Sequence, residues 1–315
     1  MKILYLDPTI KTATSQNYKY YDGVYDELIR ISQVHLCREP VFDFQAYTSK
    51  INFQPDVVVF GLGWFNHGYF GIVKNLNVPS VCILFKPQNN LRDKLKFCIY
   101  NNINRILTPI PQYKKYEKAT GIKTELFPYG FDPEIFKSRQ IEKKYDIGFS
   151  GALHENKYYP PGAFKTVDIR VKIGEMLKQV ENLKIFWSAS TYTNSKNGRI
   201  HSYDEYAKKI NSSNAWIATA AAFGDITPRY YEVAASNTLL LCQRVEREYE
   251  HIFTDGINCV QFDPDLNNFA DVVKWIKSNP IEVSKITTTA TQDFLTNHTW
   301  ENRAKQLVGT IQGIL

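Results

Sequence analysis

Two charged residues one helical turn apart, Arg229 and Glu232, are the side chains of this sequence best suited to hold a ligand. They follow Thr227 and Pro228, a pair typical of a helix start, because threonine can cap free N–H groups and proline lacks one. Such a start can bind phosphate, and a guanidinium suits a diphosphate. Glu232 precedes apolar residues, so its carboxylate needs a polar partner such as ribose hydroxyls. A surface ion pair between Arg229 and Glu232 is the alternative.

A second candidate site lies where the strand-like segment DIGFSGA ends. Gly151 allows a phosphate to approach the backbone, and Arg170, near the start of the next helical segment, can point to the same place. A plain strand-to-loop turn explains the glycine equally well. His154, in the polar loop between them, is either a phosphate donor or a loop residue, and the loop residue is the favoured interpretation.

In the first half of the sequence, the segment GLGWFNHG follows a buried strand and can form a loop that faces a ligand. It contains Gly63 and His67, and His67 is a candidate base or hydrogen-bond donor toward a substrate. A tight turn with an exposed histidine is the alternative.

Positive charge is concentrated in the first half of the chain. The sequence has 38 basic and 32 acidic residues, and the whole excess of +6 arises in residues 1–140, which hold 18 basic against 12 acidic residues. Most of it lies in 86–118, with Lys86, Arg92, Lys94, Lys96, Arg105, Lys114, Lys115 and Lys118. Basic stretches attract phosphates, acidic glycans or anionic membranes, and a solvated helix face is the alternative.

The composition excludes several classes of protein. Hydrophobic residues make up 43% and charged residues 22%, which is typical of globular domains. No apolar run approaches the ~20 residues of a membrane span, and MKILYLDP does not read as a secretory signal. Five cysteines without a CxxC pair favour buried thiols in a reducing cytoplasm. The sequence contains no P-loop, no GxGxxG after the first strand and no GxSxG elbow.

The elements that must position these residues alternate between apolar strands and helices, which predicts parallel sheets covered on both faces. The polar segment 131–146 interrupts the pattern and is a candidate linker. We therefore predict an α/β fold of two doubly wound units, with ligands at the carboxyl ends of the strands and a cleft between the units. A helix is predicted near 67–76, and His35 is assigned to a helix or the residues just after one.

Four segments resemble the CgeB-type (spore-maturation-like) branch of the GT-B glycosyltransferases, enzymes that move a sugar from a nucleotide donor. They are YDIGFSG (145–151), SYDEYAKKINSSN (202–214), ITPRYYEVAASNTLLLC (226–242) and NHTWENRAKQLV (297–308), and ELFPYGFDPEIF (125–136) is similar to the end of the family's first domain. The resemblance implies a GT-B fold of two facing Rossmann-like domains. Residues 1–140 would bind the acceptor, 141–297 the nucleotide-sugar, and 298–315 would form a helix that crosses back to the first domain. The resemblance implies no metal or other cofactor.

The resemblance also assigns roles to individual residues. Glu232 would hold the donor ribose, Arg229 and the backbone of Gly151 and Thr227 would face the diphosphate, and Tyr203 would lie near the base. The set of nucleotide-sugar-binding candidates is completed by Arg170 and Asp225, and the acceptor-binding candidates are Gly63, His67 and Lys86.

The sequence departs from the family pattern at two places. Gly224 stands where related retaining enzymes have the first of two glutamates, and Asp225 is its candidate substitute, so retention or inversion stays open. Asn237 replaces a usual glycine, and asparagine tolerates a left-handed backbone. The DPD segment at 263–265 is interpreted as a turn before a helix rather than as a metal motif.

These observations predict a metal-independent glycosyltransferase that moves a hexosyl or pentosyl group to a glycan or other hydroxyl acceptor. Arg229 would stabilise the departing diphosphate, and His67 would act as the base if the reaction inverts. An anionic or lipid-linked acceptor and peripheral membrane association are further expectations. The alternatives are a non-catalytic GT-B protein that binds glycans or assembles a coat, and a nucleic-acid-modifying glucosyltransferase, which the aromatic residues of the basic stretch allow.

Overall fold

The computed structural model describes residues 1–7, 19–61, 71–87, 90–153, 166–190, 200, 202–221 and 224–315, with side chains for all of these except 19–22 and 166–167. The chain divides into two compact units. Unit 1 comprises Met1–Gly130 and Trp300–Leu315, and unit 2 comprises Phe131–Thr299.

Unit 1 is built on a parallel sheet with helices between its strands. In chain order its elements are β1 (Lys2–Leu6), α1 (Lys19–Ile31), β2 (Gln33–Cys37), α2 (Phe44–Lys50), β3 (Val57–Gly61), β4 (Ser80–Ile83), α3 (Leu91–Tyr100), β5 (Arg105–Thr108), α4 (Tyr113–Thr120) and β6 (Thr124–Leu126). The six strands are ordered β2-β1-β3-β4-β5-β6. From β1 the chain forms β2 on one side and then crosses to β3 on the other side, so the strand order reverses between β1 and β3.

The core of unit 1 forms because its central strands are apolar on both faces, as helices on both sides of a parallel sheet require. Every residue of β3 is buried. Phe60 packs edge-to-face on Phe97 of α3, with ring centroids 5.1 Å apart.

Unit 2 repeats this plan with five strands. Its elements are β7 (Tyr145–Ala152), α5 (Thr166–Lys178), β8 (Ile185–Ser190), α6 (Tyr203–Asn211), β9 (Ser213–Ala218), α7 (Pro228–Ala234), β10 (Leu239–Gln243), β11 (Val260–Phe262), α8 (Phe269–Ser278) and α9 (Pro280–Asn297). The strands are parallel and ordered β11-β10-β9-β7-β8, so here the order reverses between β7 and β9. Apolar strands again form the centre, and every residue of β10 is buried.

The last helix, α10 (Trp300–Gln312), returns to unit 1 and packs against α1. Arg303 donates from Nε to the Tyr129 carbonyl (3.2 Å), and Gln306 donates from Nε2 to the Leu126 carbonyl (3.0 Å). The side chain of Trp300 fills the space at Gly23, where a Cβ would stand 2.2 Å from the indole. These contacts attach α10 to α1 and to the residues at and just after the end of β6.

The predicted α/β fold with two parallel sheets is confirmed, and two local predictions are wrong. His35 lies in strand β2, where its ring contacts Tyr47 and Phe53. Residues 71–76 form no helix, whereas 67–70 lie outside the described residues. The reason is tertiary: Asn101 accepts from the Val73 N–H (2.6 Å) and donates to the Gly71 carbonyl (3.2 Å), which ties this segment to the end of α3.

Two further sequence features have clear positions in the fold. All five cysteines are buried free thiols, as predicted. Asn237 has a φ of 51°, the left-handed conformation expected of it.

None of the helices within the described residues is both long and apolar enough to cross a bilayer.

Candidate functional site

The carboxyl edge of the unit 2 sheet collects the polar residues singled out in the second half of the sequence. In open parallel sheets, ligands bind at this edge where the strand order reverses, because the helices on either side diverge there. In unit 2 that place is between β7 and β9. Gly151 lies at the end of β7, and Thr219 directly follows β9.

Arg170 of α5 joins the two strand ends. Its Nε donates to the Thr219 hydroxyl (2.8 Å), and its Nη1 donates to the Ala152 carbonyl (3.0 Å). These two bonds fix the guanidinium at the reversal of strand order, as the sequence analysis anticipated for Arg170. The hydroxyl of Thr219 was not anticipated, since a threonine after an apolar strand carries no distinctive signal.

Arg229 of α7 lies beside the same ring as Arg170. Both guanidinium carbons are 6.0 Å from the ring centroid of Phe149, the fourth residue from the end of β7. The Phe149 ring also stacks on the indole of Trp187, with ring centroids 4.3 Å apart. Arg229 also donates from Nε to the Tyr206 hydroxyl (3.1 Å). Two cations therefore converge near the strand end, which makes this edge attractive to an anion.

Gly151 has a packing role at this place. A Cβ there would stand 2.8 Å from the Phe149 ring and 3.5 Å from Nη1 of Arg170. The absent side chain thus leaves room for the ring on which the two arginines converge.

Glu232 of α7 is a buried carboxylate without a complete set of partners. Its side chain is 3% exposed, and Oε2 has no hydrogen-bond partner within the described part of the chain. Burial raises the pKa of Glu232 to about 8, and the opposing charge of Arg229 lowers it by less. A surface ion pair, the alternative for these two residues, is therefore wrong. A buried carboxylate oxygen is costly unless a donor satisfies it, so this atom is available to a ligand.

The residues around α7 complete the arrangement. Thr227 is the N-terminal boundary residue and Pro228 the first helical residue, as predicted, but the Thr227 hydroxyl makes no capping bond. That hydroxyl is buried without a partner within the described residues. The helix has seven residues, so its dipole is small and the arginines are the main source of positive charge. Asp225 is also buried, and its carbonyl accepts from the Ala221 N–H at 2.8 Å.

Tyr203 begins α6, one turn before the Tyr206 that receives the bond from Arg229. Both tyrosine rings pack edge-to-face on Phe136, at 6.3 and 6.0 Å. Ser202 caps the helix by accepting from the Glu205 N–H at 3.3 Å. Besides Thr219, two site residues were not predicted from the sequence, Phe149 and Tyr206, although both fall within the segments that carry the family resemblance.

The acceptor-binding candidates belong to the first half of the sequence, and only one of them lies within the described residues. Gly63 and His67 lie outside the described residues, as does His154. Lys86 belongs to unit 1, follows β4 and adopts a φ of 51°. Of the eight residues in the basic stretch, Lys94 contradicts the expected solvated face, because its side chain is 0% exposed.

A pocket of about 270 Å³ lies at the opposite, amino-terminal edge of the unit 2 sheet, beside Lys143 and α9. Lys143 donates to the carbonyls of Ser213 (2.8 Å) and Asn237 (2.7 Å), and Lys277 donates to the Asn182 carbonyl (3.0 Å). Ligands of open parallel sheets bind at the carboxyl edge rather than at this one, which makes the carboxyl edge the better candidate site.

Within the described ranges, no three His, Cys, Asp or Glu side chains lie together so that they could hold a metal ion. The DPD segment forms a turn, as predicted, and Asp263 accepts from Nε and Nη2 of Arg244 at 2.9 and 2.7 Å.

Two doubly wound parallel units, the second with paired arginines and a buried carboxylate at its ligand edge, define the fold class of the GT-B glycosyltransferases. Residues 168–309, a little under half of the chain, match the family model described as glycosyl transferase-like. This match and the fold support the predicted class of enzyme, a glycosyltransferase. The CgeB-type branch within that class stays a prediction. Among curated proteins, none matches the sequence significantly.

Solved structures support the same fold at low sequence identity. Sucrose-phosphate synthase from Thermosynechococcus elongatus is 12% identical with a TM-score of 0.64, and the match covers 99% of this chain and 98% of that one. Anabaena HepE, in complex with UDP and glucose, is 13% identical with a TM-score of 0.60 and coverages of 99% and 100%. S. aureus TarM is 10% identical with a TM-score of 0.59 over 84% of this chain. The chain spans 57% of TarM.

Proposed function

We propose that this protein transfers a sugar from a nucleoside-diphosphate sugar to a hydroxyl group of an acceptor. The observation that carries the proposal is the buried Oε2 of Glu232, which has no hydrogen-bond partner among the described residues and can accept hydrogen bonds from a ligand. The two hydroxyls of a ribose are such donors. The paired guanidinium groups of Arg170 and Arg229 supply the complementary charge for the diphosphate of the same ligand.

The proposed chemistry is electrostatic. The acceptor hydroxyl oxygen forms a bond to the anomeric carbon, and the bond between that carbon and the diphosphate oxygen breaks. The electron pair of the broken bond leaves on the diphosphate, and the hydroxyl proton passes to a base, for which His67 is the candidate if the reaction inverts. Arg229 and Arg170 stabilise the growing negative charge, since both are held in place before the reaction by bonds to Tyr206, Thr219 and Ala152. Two fixed cations can serve the purpose of a metal ion, which is why the proposal includes no metal.

The finer assignments are proposals of the same kind. The segments quoted above favour the CgeB-type branch, with the nucleotide-sugar in unit 2 and the acceptor in unit 1. The net positive charge of residues 1–140 favours an acceptor that is anionic or presented on an anionic surface. The buried free thiols favour a cytoplasmic location. Because HepE was solved with UDP and glucose, UDP and UDP-glucose are the first probes to use.

Calorimetric titration with UDP tests the donor site. The variant Glu232→Ala should bind UDP about 10- to 150-fold more weakly, because hydrogen bonds to a charged group contribute about 1.5–3 kcal/mol. Glu205→Ala, which removes an exposed carboxylate from the neighbouring helix α6, is the matched control and should bind like the wild type. Equal affinity in the wild type and in Glu232→Ala would show that Glu232 is only structural.

Hydrolysis of UDP-glucose without an acceptor separates an enzyme from a non-catalytic binding protein. Slow release of glucose that disappears in the variant Arg229→Met is expected of the transferase. A protein that binds UDP but never releases the sugar of UDP-glucose or of another UDP-sugar would be a binding module.

A further inference from the structure

The carboxyl edge of the unit 1 sheet holds a second group of charged residues, at the equivalent reversal of strand order between β1 and β3. Asp7 directly follows β1, and its N–H donates to the Cys37 carbonyl of β2 at 3.0 Å. Its side chain is 6% exposed. An acidic side chain is rarely buried without a reason in charge or function, and the edge where it lies is where open sheets bind ligands.

Gly61, the last residue of β3, makes room for this carboxylate. A Cβ at Gly61 would stand 2.1 Å from Oδ2 of Asp7 and 2.8 Å from its Cγ. No residue other than glycine fits without moving Asp7. The carboxyl group is therefore packed directly across the ends of the two central strands.

Lys94 brings a buried cation to the same region. Its side chain on α3 is 0% exposed, and its ammonium donates to the Lys86 carbonyl at 3.1 Å. Burial lowers the pKa of Lys94 to about 8, and the charge of Lys86 lowers it further, while Cys82 of β4 and Asp7 act in the opposite direction. The carboxylate of Asp7 is thus within electrostatic range of Lys94, and Lys86 adds a second cation near them.

We propose that Asp7 is an acceptor-binding residue, whose carboxylate accepts hydrogen bonds from the hydroxyl groups of a sugar or polyol, and that Lys94 is a positioning residue that keeps this carboxylate ionised and in place. Hydroxyl groups donate strongly to a carboxylate. The Asp7 carboxylate and the Lys86 charge both act on the Lys94 ammonium, so the three groups together carry a net positive charge, which suits a phosphorylated sugar or polyol. This inference deepens the proposed function and rests on it.

Saturation-transfer difference NMR tests the proposal with glucose, glucose 6-phosphate and glycerol 3-phosphate as probes. At least one probe should receive saturation from the wild-type protein. Asp7→Asn should weaken its binding about 10- to 100-fold, because a neutral amide replaces the charged acceptor. Asp93→Asn, which removes an exposed carboxylate from α3 of the same unit, is the matched control and should bind the probe like the wild type. The proposal is overturned if no probe binds the wild type or if Asp7→Asn binds as well as the wild type.

Lys94→Met distinguishes a positioning role from a structural one. Loss of the cation should raise the pKa of Asp7, so the pH at which acidification abolishes probe binding should move upward. The groups that face Asp7 and Lys94 in this region, Lys86 and Cys82, are unchanged in the variant. A pH profile identical to that of the wild type would overturn the role of Lys94.

UDP titration of Asp7→Asn and Lys94→Met separates this proposal from the donor site. Both variants should retain wild-type UDP affinity, which also reports that unit 2 is folded. Loss of probe binding with intact UDP binding supports the acceptor site. If either variant fails to fold, Gly61→Ala serves in its place, because its Cβ displaces the Asp7 carboxylate. Wild-type probe binding by folded Gly61→Ala would overturn the proposal. Failure of UDP to bind the wild type, with probe binding intact, would instead contradict the proposed donor site.

Discussion

At the scale of single residues, Glu232 shows how burial converts an ordinary side chain into a candidate for binding. Its neighbours in the sequence are apolar, and the structure buries it with one oxygen that has no partner in the described part of the chain. Arg229 lies near enough to act on its pKa, but desolvation prevails and raises the pKa to about 8. Without a ligand, the carboxyl group is therefore largely protonated at neutral pH.

The raised pKa predicts how stability depends on pH. Between about pH 4.5 and 8, the folded protein binds a proton at Glu232 that the unfolded chain releases, so rising pH through this window destabilises the wild type. Glu232→Gln lacks this proton. Its free energy of unfolding should exceed that of the wild type by about 3–5 kcal/mol above pH 8 and match it below pH 4.5.

Urea unfolding of both proteins at several pH values measures this difference. Glu205→Gln, at the exposed position on α6, is the control and should follow the wild type at every pH. A difference between Glu232→Gln and wild type that stays constant from acid to alkaline pH would show that the Glu232 carboxyl group titrates normally.

At the scale of elements, the polar segment before β7 is attached to unit 2 through α6. Asn211, the last residue of α6, donates to the Lys137 carbonyl (3.1 Å) and accepts from the Arg139 N–H (2.8 Å). Arg139 also forms an ion pair with Asp204 of the same helix. The segment that the sequence suggested as a linker is therefore held to α6 of unit 2 by specific bonds.

Removal of the Asn211 amide tests this attachment. Asn211→Ala leaves the Lys137 carbonyl and the Arg139 N–H without their partner, which should lower the free energy of unfolding by about 1–3 kcal/mol. The measurement is urea denaturation, with Gln292→Ala as a matched control on the exposed face of α9. Equal losses for the two variants would mean that the segment contributes nothing through Asn211.

At the scale of the whole molecule, charge is divided unequally along the chain. Residues 1–140 carry the net charge of +6, and 141–315 carry 20 basic and 20 acidic residues. Lys114, Lys115 and Lys118 of α4 are exposed, whereas Lys94 is buried. The long-range positive field of unit 1 therefore comes from the exposed lysines, and Lys94 acts only locally.

Salt should separate the two substrates of the proposed reaction. Attraction between exposed charges is screened over ~8–10 Å at physiological ionic strength. Added salt should thus raise the KM for an anionic acceptor more than the KM for UDP-glucose. The same change in KM is expected at low salt in a triple variant in which glutamine replaces Lys114, Lys115 and Lys118. Steady-state kinetics at two ionic strengths is the measurement, and equal changes in both KM values would assign these lysines to solubility alone.

Much of the fold followed from the sequence because apolar runs such as VVVF and TLLLC must be buried on both faces. The helix start at Thr227–Pro228 and the need of Glu232 for a partner were likewise local properties of residue type. Strand β2 was missed because QVHLC has only one fully buried residue, Cys37, so its apolar signal is weak.

The tertiary structure alone decided which distant residues meet. Arg170 and Arg229 are 59 positions apart in the sequence, yet both lie 6.0 Å from the Phe149 ring. The sequence places Lys94 in a basic stretch, but the packing of α3 buries it. The position of the Asp7 carboxylate likewise depends on the absence of a side chain at Gly61, which belongs to another strand. Sequence patterns report burial and local geometry, because these depend on neighbouring residues. The meeting of charges depends on strand order, which no local pattern encodes.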